Sequence, residues 1–231
     1  MNMKKITAGA LASLLALSMT VTAFADTTAT AAAKSPAKTP DPIANDQKDV
    51  VTDPASSGNV AKVDVDKSGN VTVEAVDKNA DSVTVDELVS DGKLKDTDSV
   101  NVTLAKNLLK GSKAQTLTVN AKAVTFNANV VNKADALTKI DVTASKITLK
   151  ANALKGAKKL KKLNATNITK ANKFVVKKNA FKGMKNNSKK FVITVSSNMS
   201  KKELKKLQKK LKKAGFKGKV KKAKKAKAAT K

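Results

Sequence analysis

The chain of 231 residues contains no cysteine, histidine, tryptophan, tyrosine or arginine. Each absence removes a class of chemistry. Without histidine and cysteine there is no His–Cys metal cluster and no Ser–His–Asp or Cys–His pair. Without cysteine there is no disulfide framework and no lipid-modified cysteine anchor. Without tryptophan and tyrosine the aromatic content falls to 3%, too little for platforms that stack sugars or unpaired bases. Without arginine every basic residue is a lysine, a hydrated point charge on a flexible stem. This favours diffuse electrostatic attraction over bidentate, shape-specific recognition of phosphate.

What charge there is, is sharply partitioned. Residues 151–231 hold 29 lysines and a single acid, Glu203, giving 29 − 1 = +28. Residues 26–150 hold 16 lysines and 17 acids, giving 16 − 17 = −1. The first 25 residues read as a secretory signal peptide. Lys4 and Lys5 form a basic start, Ile6 to about Val21 an apolar run too short for a good spanning helix, and Ala23-Phe24-Ala25 a small-x-small cleavage site. No second apolar run of membrane length follows. Residues 26–58 carry all four prolines among Thr, Ala, Ser and Asp and read as a disordered linker.

The most informative positive feature is internal repetition. Asn107, Asn129, Asn152 and Asn179 recur at spacings of 22, 23 and 27, each preceded by an apolar residue three and five positions earlier. Gly111, Gly156 and Gly183 follow at the fourth position, where the second unit has Lys133. The glycines imply backbone with positive φ or close approach. Lys133 must therefore turn differently or carry strain. A second apolar pair closes each unit: Leu117/Val119, Ile140/Val142, Leu163/Ala165 and Phe191/Ile193. These are period-2 strand signals joined by short helical or irregular turns.

We therefore expect a mainly β fold with short helices: a short leucine-rich-repeat-like solenoid of about four repeats over residues 100–197, with one contiguous core. Phe126, Leu149, Leu154, Phe174, Phe181 and Ile193 are its expected members. The longer spacing after Asn152 predicts that residues 164–173 bulge outward as a loop. Residues 59–99 form the N-terminal β cap. It consists of a hairpin with its turn at Asp66–Asn70, a strand at Val83 and Val85, and a degenerate unit at Leu88-Val89.

Residues 198–216 form a C-terminal amphipathic capping helix. Ser200 and Glu203 have capping-box spacing, Met199 and Leu204 occupy staple positions, and Gly215 is a C-terminal stop with Phe216 folding back. Leu204, Leu207, Leu211 and Ala214 share one face. Residues 217–231 read as a basic disordered tail. Asp64/Asp66 and Asp96/Asp98 read as solvated sides of strands rather than catalytic pairs or calcium ligands.

Asn179-Ala-Phe-Lys-Gly183, its partner Asn152-Ala-Leu-Lys-Gly156 and, for the second half of the pattern, Leu137-Thr-Lys-Ile140-Asp-Val142 resemble the BspA-type leucine-rich repeats of secreted and cell-surface bacterial proteins. The lysine-rich end with Lys-Lys-Ala-Gly (Lys212 to Gly215) is similar to that of short Firmicutes members. The resemblance implies an extracellular binding or adhesion scaffold without catalysis or cofactor.

The charge partition implies anionic polymers of a cell wall or host surface as partners. The expected binding residues are Lys201, Lys202, Lys205, Lys206, Lys209, Lys210, Lys212, Lys213, Lys217, Lys219, Lys221, Lys222, Lys224, Lys225 and Lys227. The mature chain is then a secreted monomer, wall-associated by charge. Two alternatives stand beside this one. The first is an adhesin that binds a protein on a face bearing Thr118, Asp141 and Asn164. The second is non-specific binding of extracellular nucleic acid.

Overall fold

Two sheets built from strands of three to six residues carry the core, with short turns between them. The computed structural model describes residues 47–52, 61–85, 100–184 and 187–224. Leu88-Val89 and Asp96/Asp98, like the signal segment, lie outside them. All described residues belong to one compact unit.

The first sheet begins with β1 (Gln47–Thr52), β2 (Ala61–Val65) and β3 (Val71–Val76), paired antiparallel. The β2–β3 hairpin forms where expected. Its turn is held by the Asp66 carboxylate, which accepts from the backbone N–H of Ser68 and Asn70, both at 2.9 Å. The strand β1 corrects the linker expectation for residues 26–58, because Gln47–Thr52 pairs with β2.

Beyond the hairpin every pairing is parallel. The strands β4 (Ser82–Thr84), β6 (Thr116–Asn120), β8 (Lys139–Thr143), β10 (Lys162–Ala165), β12 (Val192–Val195) and β13 (Lys219–Lys222) make the second sheet. Between them β5 (Asn101–Leu104), β7 (Ala123–Phe126), β9 (Lys146–Leu149) and β11 (Phe174–Val176) extend the first. From β4 to β12, successive strands alternate between the two sheets.

Alternation within strands becomes rows across them. Val71, Val102, Val124, Ile147 and Phe174 pair in one buried row. Val83, Leu117, Ile140, Leu163 and Ile193 pair in the row of the second sheet, which ends on half-buried Val220. All six expected core residues are 0–1% exposed and belong to one cluster.

The turns that follow the first-sheet strands are not helices. They are overlapping β-turns: Leu108 N donates to Ala105 O, Lys110 N to Asn107 O and Ser112 N to Leu109 O. The third residue of the first and last of these turns needs positive φ. Asn107, Asn129, Asn152 and Asn179 supply it at φ 58–64°, and Gly111, Gly156 and Gly183 at 73–82°. Asn enters this region several-fold more often than other non-glycine residues. Lys133 adopts φ 56°, so the second unit turns as the others do and bears the strain.

Residues 164–173 do not bulge as a free loop. Asn164 and Ala165 finish β10, Ile168 is fully buried, and a 3-10 turn at Ala171–Lys173 leads into β11. That turn receives the helix α1 (Lys201–Lys213). Ser200 Oγ accepts from Glu203 N at 3.2 Å, as the capping-box spacing predicts. The reciprocal half is replaced: Glu203 Oε2 accepts from Ala171 N at 2.7 Å instead of reaching back to the cap. At the other end Gly215 N donates to Lys212 O and Phe216 N to Leu211 O, a Schellman ending with Gly215 at φ 90°. Phe216 packs on Phe181 and Phe191, with ring centroids 5.1 and 5.7 Å away.

The chain then crosses tightly to the sheet. A Cβ on Gly218 would lie 2.3 Å from Phe191 O. Lys219–Lys222 add to β12 as β13, so this part of residues 217–231 is an ordered edge strand rather than a disordered tail. The reason is templating: β12 offers its free backbone groups, and the Phe216 anchor fixes where the chain arrives.

Candidate polyanion interface

The cationic end is assembled from three elements. The first is the outer side of α1, where Lys201, Lys202, Lys205, Lys206, Lys209, Lys212 and Lys213 are exposed. The helix buries Leu207 and Leu211 and must turn the opposite side to solvent. Lysines spaced i,i+4 along that side repel one another, so a polyanion that spans them relieves strain already present. The second element is β13 with its flanks, where Lys217, Lys219, Lys221, Lys222 and Lys224 are exposed. Lys225 and Lys227 lie outside the described residues.

The third element was not among the expected site residues. Lys155 and Lys182 occupy the third position after Asn152 and Asn179, and both are exposed at neighbouring turns. The turns are in register, since Asn152 N donates to Asn179 O and Gly156 N to Gly183 O. The Lys155 stem lies over Gly183, where a Cβ would meet it at 3.2 Å. The common phase of these lysines in the repeat is the signal that would have found them.

Two expected lysines are partly committed elsewhere. Lys210 is half-buried beside the 3-10 turn, and its Nζ donates to Ala171 O at 3.4 Å. Burial there holds its ammonium below the usual lysine range. Lys206 pairs with Glu203 at 2.9 Å. The hydrogen bond from Lys206, followed by the one from Ala171 N–H, holds the Glu203 carboxyl below the usual glutamate range. Glu203 thus clamps α1 to the 3-10 turn, a structural role.

Between residues 101 and 224 the only carboxylates are Asp135, Asp141 and Glu203. Each is in an ion pair with one lysine: Asp135 with Lys158 at 2.7 Å, Asp141 with Lys139 at 2.6 Å and Glu203 with Lys206. The remaining lysines there have no carboxylate partner among the described residues. Their field is cut only by salt, over about 8 Å at physiological ionic strength.

The face bearing Thr118, Asp141 and Asn164 is a different surface. Those residues form one row across β6, β8 and β10, and Asn164 Nδ2 donates to Asp141 Oδ1 at 2.7 Å. The row is half-buried, and it has no large anchor of the kind that dominates protein interfaces. Among the described residues no group of three or more carboxylates is placed to hold a metal ion. No described helix is long and apolar enough to cross a membrane. Comparison of the chain with protein-family models, curated proteins and solved structures finds no match.

Proposed function

We propose that this protein is a secreted, non-enzymatic repeat scaffold that holds anionic cell-surface or cell-wall polymers through its lysine-rich C-terminal half. We further read the alternating parallel strands and Asn/Gly turns as a short leucine-rich-repeat-like solenoid of the BspA type. The observation that carries the binding reading is the unneutralised lysine field on α1, β13 and the turns at Lys155 and Lys182, beside three carboxylates that are all already paired. A solubilising surface mixes charges of both signs; this one does not.

Such binding proceeds by counterion release. Neutralising 6–10 phosphates lowers affinity by about 10³–10⁵ between roughly 50 and 200 mM salt. Point charges on flexible stems discriminate poorly, so a glycerol-phosphate polymer, heparin and single-stranded DNA compete for one surface. The test is the slope of log affinity against log salt for the full chain and for a variant with Lys201, Lys205, Lys209, Lys212 and Lys213 changed to Gln. Truncation before β13 is unsuitable, because it removes Phe216 or the edge strand. The variant should bind more weakly with a flatter slope. A slope near zero in the parent, or tight binding to one polymer that the others fail to displace, refutes the reading.

A further inference from the structure

The strand β13 is the last of its sheet and has a neighbour on one side only among the described residues. Lys219 N donates to Phe191 O at 2.9 Å and Ala223 N to Val195 O at 2.7 Å. Backbone groups of a parallel strand alternate sides, so Val220 and Lys222 turn their N–H and C=O groups away from β12, toward the open edge. Val220 also ends the apolar row Leu163–Ile193–Val220, and it is only half-buried. Alongside lies a cleft of about 600 Å³ between β13 and α1, lined among others by Val192, Gln208, Lys212, Phe216 and Val220.

We propose that this edge and its cleft accept an extended acidic segment of a partner protein as an added strand. Three observations converge on that occupant. The outward N–H and C=O groups are met in register by a peptide backbone, whereas a polyphosphate offers acceptors but no donors. The row ending at half-buried Val220 takes aliphatic side chains at alternate positions of an added strand. Lys219 and Lys221, which alternate with Val220 along the strand, take carboxylates at the positions between. Lysines on an edge strand repel indiscriminate pairing. They repel a second copy of this same cationic edge and attract a strand whose carboxylates complement them. The site thus selects by charge and binds by strand addition.

The probe is a fluorescent octapeptide of alternating glutamate and valine, titrated against the full chain at physiological salt and read by anisotropy. The all-L peptide should bind at least about tenfold more tightly than its all-D mirror image. The two carry identical charge, and only one can extend the sheet at full backbone pairing. Lys222→Pro, compared with Lys222→Ala, removes one outward N–H at constant charge and should weaken the L-peptide roughly three- to tenfold, one hydrogen bond's worth. The inward ladder survives that change, since proline is tolerated where an edge N–H faces solvent. If the proline variant fails to fold, hydrogen exchange on the unaltered chain decides: bound peptide should slow the Val220 and Lys222 amides. Equal affinity for the D-peptide, equal affinity of the two Lys222 variants, or unchanged exchange overturns the proposal and leaves only electrostatic adsorption.

Discussion

Lys133 stands at a backbone position that its three counterparts give to glycine, and this makes the turn a calibrated test of the repeat register. Its φ is 56°, against 75° at Gly111 and 82° at Gly156. Left-handed backbone costs a non-glycine residue about 1–2 kcal/mol. Glycine escapes that cost but gives back about 0.5–1 kcal/mol through its freer unfolded chain. Lys133→Gly should therefore stabilise the fold by about 0.5–1 kcal/mol relative to Lys133→Ala, which keeps the Cβ and removes the same charge. The reverse change separates conformation from crowding. A Cβ on Gly111 meets nothing within 4 Å, so Gly111→Ala should lose about 0.5–1 kcal/mol from φ alone. At Gly156 the Cβ lies 2.7 Å from Asn132 Oδ1 and 3.4 Å from Asn132 Cα, so Gly156→Ala should cost more than Gly111→Ala. Urea unfolding reads the set, as does melting at about 2–4 °C per kcal/mol for a domain of this size. If Lys133→Gly is no more stable than Lys133→Ala, the turn does not hold the strain assigned to it.

Phe181 is 1% exposed and packs on Phe216, so Phe181→Ala should cost roughly 3–5 kcal/mol in denaturant unfolding; a variant that melts like the parent refutes the core assignment. Ser200→Ala removes the acceptor of the Glu203 N–H and should cost about 0.5–2 kcal/mol, while leaving the Schellman ending intact. The Glu203 carboxyl has a folded pKa below its unfolded value of about 4.3. Its contribution is therefore complete above the unfolded value and is lost as pH falls through the folded one. The parent should lose more stability than Glu203→Gln on acidification through that window, and parallel pH profiles would remove the clamp from the account.

The parts of the fold legible in the sequence are those set by local periodicity. Val102-x-Leu104 and Ile147-x-Leu149 announce strands because one face is buried. The Asn and Gly phases announce turns because positive φ admits few residues. Ser200 and Gly215 announce helix ends through bonds made within one turn of the helix. What escaped was decided at long range. Lys219–Lys222 contains one apolar residue and has no strand signal of its own; it becomes a strand because β12 offers a template and Phe216 anchors the approach. The partner of Glu203 is Ala171, 32 residues away, which the capping-box pattern cannot reveal. Residues 164–173 carry an irregular spacing that reads as slack, yet Ile168 and Ala171 are drawn inward by the core and by α1. Of the candidate interface, the helix lysines were legible from composition. Lys155 and Lys182 needed the register, and the commitment of Lys206 and Lys210 needed the docked helix.

The C-terminal end is thus a solution to a conflict between charge and packing. A segment with one acid among many lysines repels itself, and an isolated helix of 13 residues is marginal even without that repulsion. What holds it is almost entirely uncharged. Leu207 and Leu211 are buried, and Phe216 sits against Phe181 and Phe191. Asn187 spans the exit, donating to Gly215 O and accepting from Lys217 N, both at 2.7 Å. The β13 ladder then lays the next lysines along the sheet with backbone bonds alone. The single carboxylate is spent on a backbone N–H and one lysine, not on neutralising the surface. A segment held by apolar contacts and backbone bonds can keep its lysines unpaired, and that leaves them free for an anion from outside the chain.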